Sequence, residues 1–308
     1  MRYLLCLLLS LLMVACTAPQ TRLLSAQALS QRHSIELNNV PFFSQQAYQC
    51  GPAALATMLQ YTGVKVLPET LVGQIYVPER KGSFSVEMMA STRQYGRLSY
   101  ALAPQLTAIF TALEAGFPVL VLQNNGLALY PVWHFAVIVG VDFQQQQFIL
   151  RSGIDKRLLV SFATFEHTWA RGNYWASLII DPAQIPSWFE PEATLRQLHL
   201  LEKHGSIRAA QIGYAQAVKN WPEQQGAWLG WGNSSVALQD MTTGESAFKQ
   251  LIQRFPQQAA GFNNLADLLL RQGRAQEALP LAQQAVTLLN TPTTQQTLAE
   301  VKAALASD

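Results

Sequence analysis

Three cysteines and five histidines limit the nucleophilic chemistry open to this 308-residue chain. Cys6 lies inside an apolar run at the front of the sequence and Cys16 closes it, so Cys50 is the thiol set in the globular part. A thiol becomes a nucleophile when its thiolate is stabilised, and a helix start does this through unpaired backbone N–H groups and the helix dipole. Cys50 stands immediately before Gly51-Pro52, where a helix is predicted to open. Pro52 suits its first turn, Leu55, Met58 and Leu59 share one face, and Gly63 ends it. Such a thiol needs a base, usually histidine. His33 falls in a polar N-terminal stretch, His199 and His204 in the helical second half, and His167 in the amphipathic segment TFEHTW. His134 opens WHFAVIVGVD, a strand that is otherwise almost all apolar. A polar residue at the mouth of such a strand needs a partner, and Cys50 is the available one. The chemistry this pair offers is acyl transfer: thiol attack on a carbonyl, with an imidazole moving the proton.

The elements that must position the pair are legible as alternating helix and strand patterns between about residues 36 and 185. After the Cys50 helix, further helices are predicted over about Val86–Tyr95, ending at Gly96, and about Pro104–Glu114, stopping at Gly116. Strands are predicted over Pro118–Leu122, Trp133–Val141, Gln147–Arg151, Leu158–Phe162 and Tyr174–Ile180, all rich in β-branched or aromatic residues. Gln144–Gln147 reads as a solvated hairpin loop, Asp142 as a turn residue, and Phe165 and Trp169, four apart, as one buried face. Glu87 caps its helix or pairs with Arg93. Helices first and an antiparallel sheet after them is an α+β layout.

Residues 191–292 repeat with a period of 34. Pro222 and Pro256 fall in register, Ala210, Gly244 and Ala278 form a small-residue column, and Tyr214, Phe248 and Ala282 form another. Ala217, Leu251 and Ala285 follow, Trp228 aligns with Phe262, and Gly205 and Gly273 share a turn position that Gln239 takes in the middle copy. These columns resemble tetratricopeptide repeats, helix-turn-helix units with small residues where paired helices touch. Three copies, 191–224, 225–258 and 259–292, with a capping helix to residue 308, reach the number a stable stack needs.

VPFFSQQAYQCGPAALATML, followed 84 residues after its cysteine by the histidine of WHFAVIVGVD, resembles the C39-like cysteine peptidases. These are relatives of the double-glycine leader peptidases within the papain-like clan. The resemblance spans about residues 36–180 and implies an α+β papain-like cysteine peptidase domain, followed here by an all-α tetratricopeptide-repeat solenoid. It implies Cys50 as nucleophile and His134 as general base. A glutamine shortly upstream would supply the side-chain part of the oxyanion hole: Gln45, with Gln46 close enough to compete. The backbone N–H of Cys50 would be the other donor. The family carries Asp or Asn on the strand after the histidine, commonly in Asp-Pro, to orient the imidazole. The matching strand here reads FILRSG, with Arg151-Ser152 at that place, so the orienting group is Ser152, Asp155, a backbone carbonyl, or absent.

At the N-terminus, Arg2 precedes Leu4–Val14, an uncharged run of eleven residues. At 1.5 Å per residue this is about 16 Å of helix, roughly half a bilayer core, and so a secretory signal rather than a span. Met13-Val14-Ala15-Cys16 resembles the lipobox of bacterial lipoproteins. Residues 1–15 would then be removed, Cys16 lipidated, and residues 16–35 left as a polar tether ahead of a peptidase domain over 36–185. Thr17, where an aspartate would signal retention, implies the outer membrane, with the protein facing the periplasm.

Composition narrows the function classes further. The chain is 49% hydrophobic and only 13% charged, with a formal net charge of +2. That excludes a strongly basic nucleic-acid binder and a highly charged disordered chain. No His/Cys cluster has metal-ligand spacing, and no cofactor motif is present; no Gly-x4-Gly-Lys appears. The expected function is a membrane-anchored thiol peptidase whose repeats bind a protein partner or the peptide substrate. Two alternatives stand beside it. One is a peptidase-fold lipoprotein weakened in turnover that acts as a binding scaffold. The other is an NlpC/P60-type cell-wall hydrolase, in which Ser-Gly rather than Gly-Pro usually follows the cysteine.

Overall fold

A computed structural model describes residues 18–44, 49–80 and 82–307. The residues up to Tyr95 and Ser99–Ile179 form one compact unit, and Gly96–Leu98 with the chain from Ile180 onward form a second.

In the first unit the chain runs through short helices α1 (Pro19–Leu23) and α2 (Ala26–Ser30) and strand β1 (Ile35–Glu36) before the long helix α3 (Cys50–Tyr61). Helix α4 (Pro68–Ile75), the hairpin β2 (Tyr76–Val77) and β3 (Gly82–Ser83), and helix α5 (Ser85–Gln94) follow. Next come β4 (Leu98–Ala101), α6 (Leu106–Glu114), β5 (Val119–Asn124), β6 (Trp133–Asp142), β7 (Gln147–Ser152), β8 (Asp155–Ser161), α7 (Phe162–Arg171) and β9 (Ala176–Ile180). The large sheet has the order β4-β9-β5-β6-β7-β8, with β1 paired to β6. The registered pairs β5–β6, β5–β9, β6–β7, β7–β8 and β1–β6 are all antiparallel. Helices first, antiparallel sheet after: the α+β reading of this region stands.

Strand alternation divides the core in two. Phe135, Val137 and Val139 of β6 join Leu55, Met58 and Leu59 of α3 in one buried cluster. An aromatic cluster fills in elsewhere: Phe110, Phe143, Phe148, Phe162, Phe165 and Trp169 are fully buried, with Phe148 4.8 Å from both Phe162 and Phe165 by ring centroid. Phe165 and Trp169 stack at 5.4 Å, one turn apart on α7. Helix α3 is buried from Gly51 through Leu59. Its termination at Tyr61 is followed by Gly63 at φ +88°, a left-handed position that glycine takes at no steric cost.

The strand β6 carries a register irregularity between Ile138 and Gly140, opposite β7. On one side of it Val141 pairs with Phe148, and on the other Val137 pairs with Arg151. The extra residue changes which β7 side chains share a face with the start of β6. Gly140 is required by a close approach: a Cβ there would lie 2.5 Å from the Ile35 carbonyl oxygen of β1.

The stretch read as a tether is not free. Ala18 is buried, and α1 and α2 are held against the body by hydrogen bonds to Glu166 and by Arg32, which pairs with Glu114 at 2.6 Å and sits over the Phe143 ring. The segment's polar composition hides this because its contacts are polar backbone groups meeting side chains of distant sequence. Helix α4, β1 and β4 also went unanticipated: two or four residues of strand, and eight of helix broken by Gly73, show little periodicity.

The second unit repeats at 34 residues. Helices α8 (Pro191–Lys203), α10 (Gln225–Ala237) and α12 (Ala259–Arg271) are one series, and α9 (Ile207–Asn220), α11 (Met241–Arg254) and α13 (Ala275–Leu288) the other; α14 (Pro292–Ser307) closes the array. The columns Ala210/Gly244/Ala278, Tyr214/Phe248/Ala282 and Ala217/Leu251/Ala285 are all buried. The turns at Gly205, Gln239 and Gly273 all take positive φ, at +89°, +64° and +74°.

Candidate active site

Cys50 is the first residue of α3, with Gln49 before it as the helix cap position. Gly51 is buried so tightly that a Cβ would collide with Ser83 Oγ. The residue after the thiol must therefore be glycine, a contact with the β2–β3 hairpin that nothing in the sequence announced. The sulfur is half-buried and lies near the backbone N–H groups of Phe135, Gly51 and Cys50 itself. These donors favour the thiolate, but burial outweighs them and pushes the thiol pKa up. The resting group at pH 7 is therefore a thiol.

His134 is the second residue of β6, next to Phe135, whose amide lies near the sulfur. Its Nε2 lies 2.8 Å from Ser152 Oγ. Burial lowers the imidazole pKa below its ordinary value, so the ring is neutral at pH 7. Among the described residues no hydrogen bond joins the imidazole directly to the thiol. Ser152 thus engages Nε2, and Nδ1 is the other ring nitrogen.

Of the residues considered as orienting group, the structure brings Ser152 to His134 and not Asp155. Ser152 and Asp155 face each other across a two-residue turn between β7 and β8, and Asp155 is exposed. Ser152 is buried and lies diagonally across from His134 on the same face of the β6–β7 pair. Arg151, on the other face, is buried with its guanidinium donating to the Lys156 carbonyl. Asp142 is a turn residue, its carboxylate accepting the N–H groups of Gln144 and Gln145 at 3.0 Å each. Gln45 and Gln46, the expected oxyanion-hole side chains, and Cys16, the expected lipidation site, lie outside the described residues.

Two further neighbours were not anticipated. Gln123 of β5 sits directly opposite His134, buried, with its amide donating to Thr168 Oγ1 at 2.6 Å. Beyond it, residues 124–133 form an ordered hairpin: buried Asn124 accepts the N–H groups of Gly126 and Val132 through Oδ1, both at 2.9 Å. From this hairpin Leu127, Leu129, Tyr130, Val132 and Trp133 project into solvent beside the His134 end of the sheet. The segment from Gln123 to Phe135 carries no Asp, Glu, Lys or Arg.

Residues 37–176 match the model of the peptidase C39 like family. This region is a C39-like peptidase-fold domain. Residues 229–291 match a tetratricopeptide-repeat model. Among solved structures, a chain from Bacillus anthracis described as a C39-like peptidase is 18% identical, covering 48% of this chain and 98% of its own, with a TM-score of 0.43. A thermophilic TPR protein of Thermus thermophilus is 20% identical over 38% of this chain and 66% of its own, with a TM-score of 0.36. YrrB, a TPR protein with an unusual peptide-binding site, is 19% identical over 38% of this chain and 60% of its own, with a TM-score of 0.35. No curated protein matches the chain significantly. The C39-like domain thus precedes a helical region with tetratricopeptide repeats, as the sequence columns implied. Among the described residues there is no group of three or more His, Cys, Asp or Glu able to hold a metal ion, and no helix long and apolar enough to cross a membrane.

Proposed function

We propose that this protein is a thiol peptidase of the C39-like type, anchored to the outer membrane through Cys16 and facing the periplasm. Its repeats hold a protein partner or the substrate. The observation that carries the reading is the His134–Ser152 hydrogen bond at 2.8 Å, next to the Phe135 amide near Cys50. Cys50 attacks a peptide carbonyl while His134 Nδ1 accepts the thiol proton. The same proton passes to the leaving amine as the C–N bond breaks, giving a thioester. Water then attacks the thioester with His134 again as base, and the thiol is released. Negative charge on the tetrahedral oxygen is met by the Cys50 N–H and the Gln45 amide, each donor worth about 3 kcal/mol. Because both pKa shifts favour the neutral pair, proton transfer accompanies attack rather than preceding it. The uncharged, exposed hairpin before His134 suits a substrate with apolar side chains next to the scissile bond.

The test is Cys50-dependent cleavage. The chain from Thr17 onward is incubated with a mixed peptide library beside Cys50→Ala, and products are read by mass spectrometry. Cleavage by the wild type and none by Cys50→Ala is expected; identical product profiles would overturn the reading. A second reading is favoured by one observation: a hydroxyl rather than a carboxylate meets His134. It makes the first unit a weakened peptidase fold whose binding capacity remains. That reading predicts that peptides bind equally to wild type and Cys50→Ala and leave uncut.

A further inference from the structure

The peptide between the expected lipid site and the folded body is one residue long. Cys16 and Ala18 are separated only by Thr17, so their Cα atoms lie at most about 7.6 Å apart. Ala18 is 6% exposed and already part of the body. From there the chain is fastened by Glu166 of α7, a carboxylate only 1% exposed. Its Oε1 accepts the Gln20 N–H at 2.8 Å, and its Oε2 accepts the Thr21 N–H at 2.7 Å and the Thr21 hydroxyl at 2.6 Å. These are first-turn N–H groups of α1 that would otherwise lack partners. Gln20 is stitched on its other side: its side-chain oxygen accepts the Leu106 N–H at the start of α6 at 2.8 Å, and its amide donates to the Pro104 carbonyl at 3.0 Å. Further along, Leu29 is buried and Arg32 pairs with Glu114.

We propose that the face of the first unit carrying α1 and its Glu166 clamp lies against the phospholipid bilayer, and that Glu166 sets this orientation. The inference rests on the anchor reading of Cys16. A lipidated cysteine sits at headgroup depth, so a body that begins two residues later has no room to stand away from the surface. The chemistry of the strap suits that surface. Leu23 is 85% exposed and Arg22 beside it is exposed, while residues 18–34 contain Arg22 and Arg32 and no Asp or Glu. An apolar side chain beside an exposed cation, Arg22, fits a headgroup layer with anionic lipid. The peptidase-fold unit is thus held at a fixed attitude on the membrane instead of ranging on a free tether.

The test uses the full lipidated chain in vesicles of phosphatidylethanolamine and phosphatidylglycerol that carry nitroxide-labelled acyl chains. A fluorophore is placed at Leu23→Cys in a Cys50→Ser background, and the same label is read after a Gly/Ser linker of about 16 residues, spanning about 22 Å, is inserted between Thr17 and Ala18. Strong quenching in the native spacing that falls severalfold with the linker is expected; no quenching, or quenching the linker leaves unchanged, overturns the proposal. Hydrogen exchange in solution reads the clamp separately. The Gln20 and Thr21 amides should be slow in the native chain and fast in Glu166→Ala, and slow exchange in both would remove Glu166 from the argument. A mass spectrum of the N-terminal peptide reports acylation of Cys16 by itself. An unacylated cysteine overturns the anchor reading, and this inference with it, whatever the exchange data show.

Discussion

A hydroxyl and a carboxylate do different work for an imidazole. A carboxylate accepts only, so it fixes the Nε2–H tautomer, leaves Nδ1 free as a base, and stabilises the imidazolium that forms. Ser152 Oγ, 2.8 Å from Nε2, can accept or donate, so half of its arrangements leave the proton on Nδ1 and the base blocked. Ser152→Ala should cost about 1 kcal/mol, roughly fivefold in kcat/KM, the size of one neutral hydrogen bond. Ser152→Asp should raise kcat/KM by a similar factor, because a charge-assisted bond is about twice as strong. Equal rates in all three proteins would remove Ser152 from the proton path. A second consequence follows from burial of His134. Its pKa lies below the ordinary 6.5, so as the proposed base it stays neutral in mild acid, and on that reading the acid limb of kcat/KM should fall below pH 6.5. The same shift links to stability with a definite sign. Above pH 6.5 the ring is neutral folded and unfolded; below it the unfolded chain binds the proton first, so stability falls until the folded pKa is passed. An acid limb at or above 6.5 would mean that the titrating group is not His134.

Which β7 residue meets that imidazole is decided by one irregular position in β6. Carried past Gly140 without a shift, the pairing of Val141 with Phe148 would set Arg151 on the face of His134 and Ser152 on the face of Val137. The bulge between Ile138 and Gly140 exchanges them, since a one-residue slip moves every side chain to the other face. This explains what could be read beforehand and what could not. Cys50 at a helix start and His134 at the mouth of an apolar strand are local patterns, visible in residue types and spacing. So are the strands themselves, most of them to within two or three residues. The choice between Ser152 and Asp155 depends on register, on a bulge, and on a turn length, none of which composition encodes. The Gly51–Ser83 and Glu166–α1 contacts join segments far apart in sequence and left no periodic signal. Gly140 gives the bulge a testable handle, because β1 passes so close that a methyl group meets the Ile35 carbonyl at 2.5 Å. Gly140→Ala should lose about 1–3 kcal/mol in denaturant unfolding and take kcat/KM down with it as the register loosens. Gly73→Ala, in the exposed interior of α4 with open space around it, is the opposing control and should gain about 0.5–1 kcal/mol. The idea fails if the two substitutions shift stability alike.

At the scale of the whole chain, two kinds of order meet: a sheet whose pairings reach across the sequence, and an array whose helices repeat every 34 residues. In such an array each repeat rests on its neighbours, so a weakness in one turn is felt by the stack. The turn between α10 and α11 has one. Gln239 holds φ +64°, where the equivalent turns have Gly205 at +89° and Gly273 at +74°. A side chain in the left-handed region costs about 1 kcal/mol that glycine avoids, and Gln239 is exposed, so little packing is lost with its side chain. Gln239→Gly should therefore stabilise the repeat array by about 0.5–1 kcal/mol, seen as a higher midpoint in helix-monitored unfolding. Because Gln239 belongs to the second unit and Cys50 and His134 to the first, kcat/KM toward a small peptide should stay the same on the proposed reading. A lowered midpoint would show that the middle repeat owes its turn to contacts of the Gln239 side chain, and that its departure from glycine is not a strain the array tolerates.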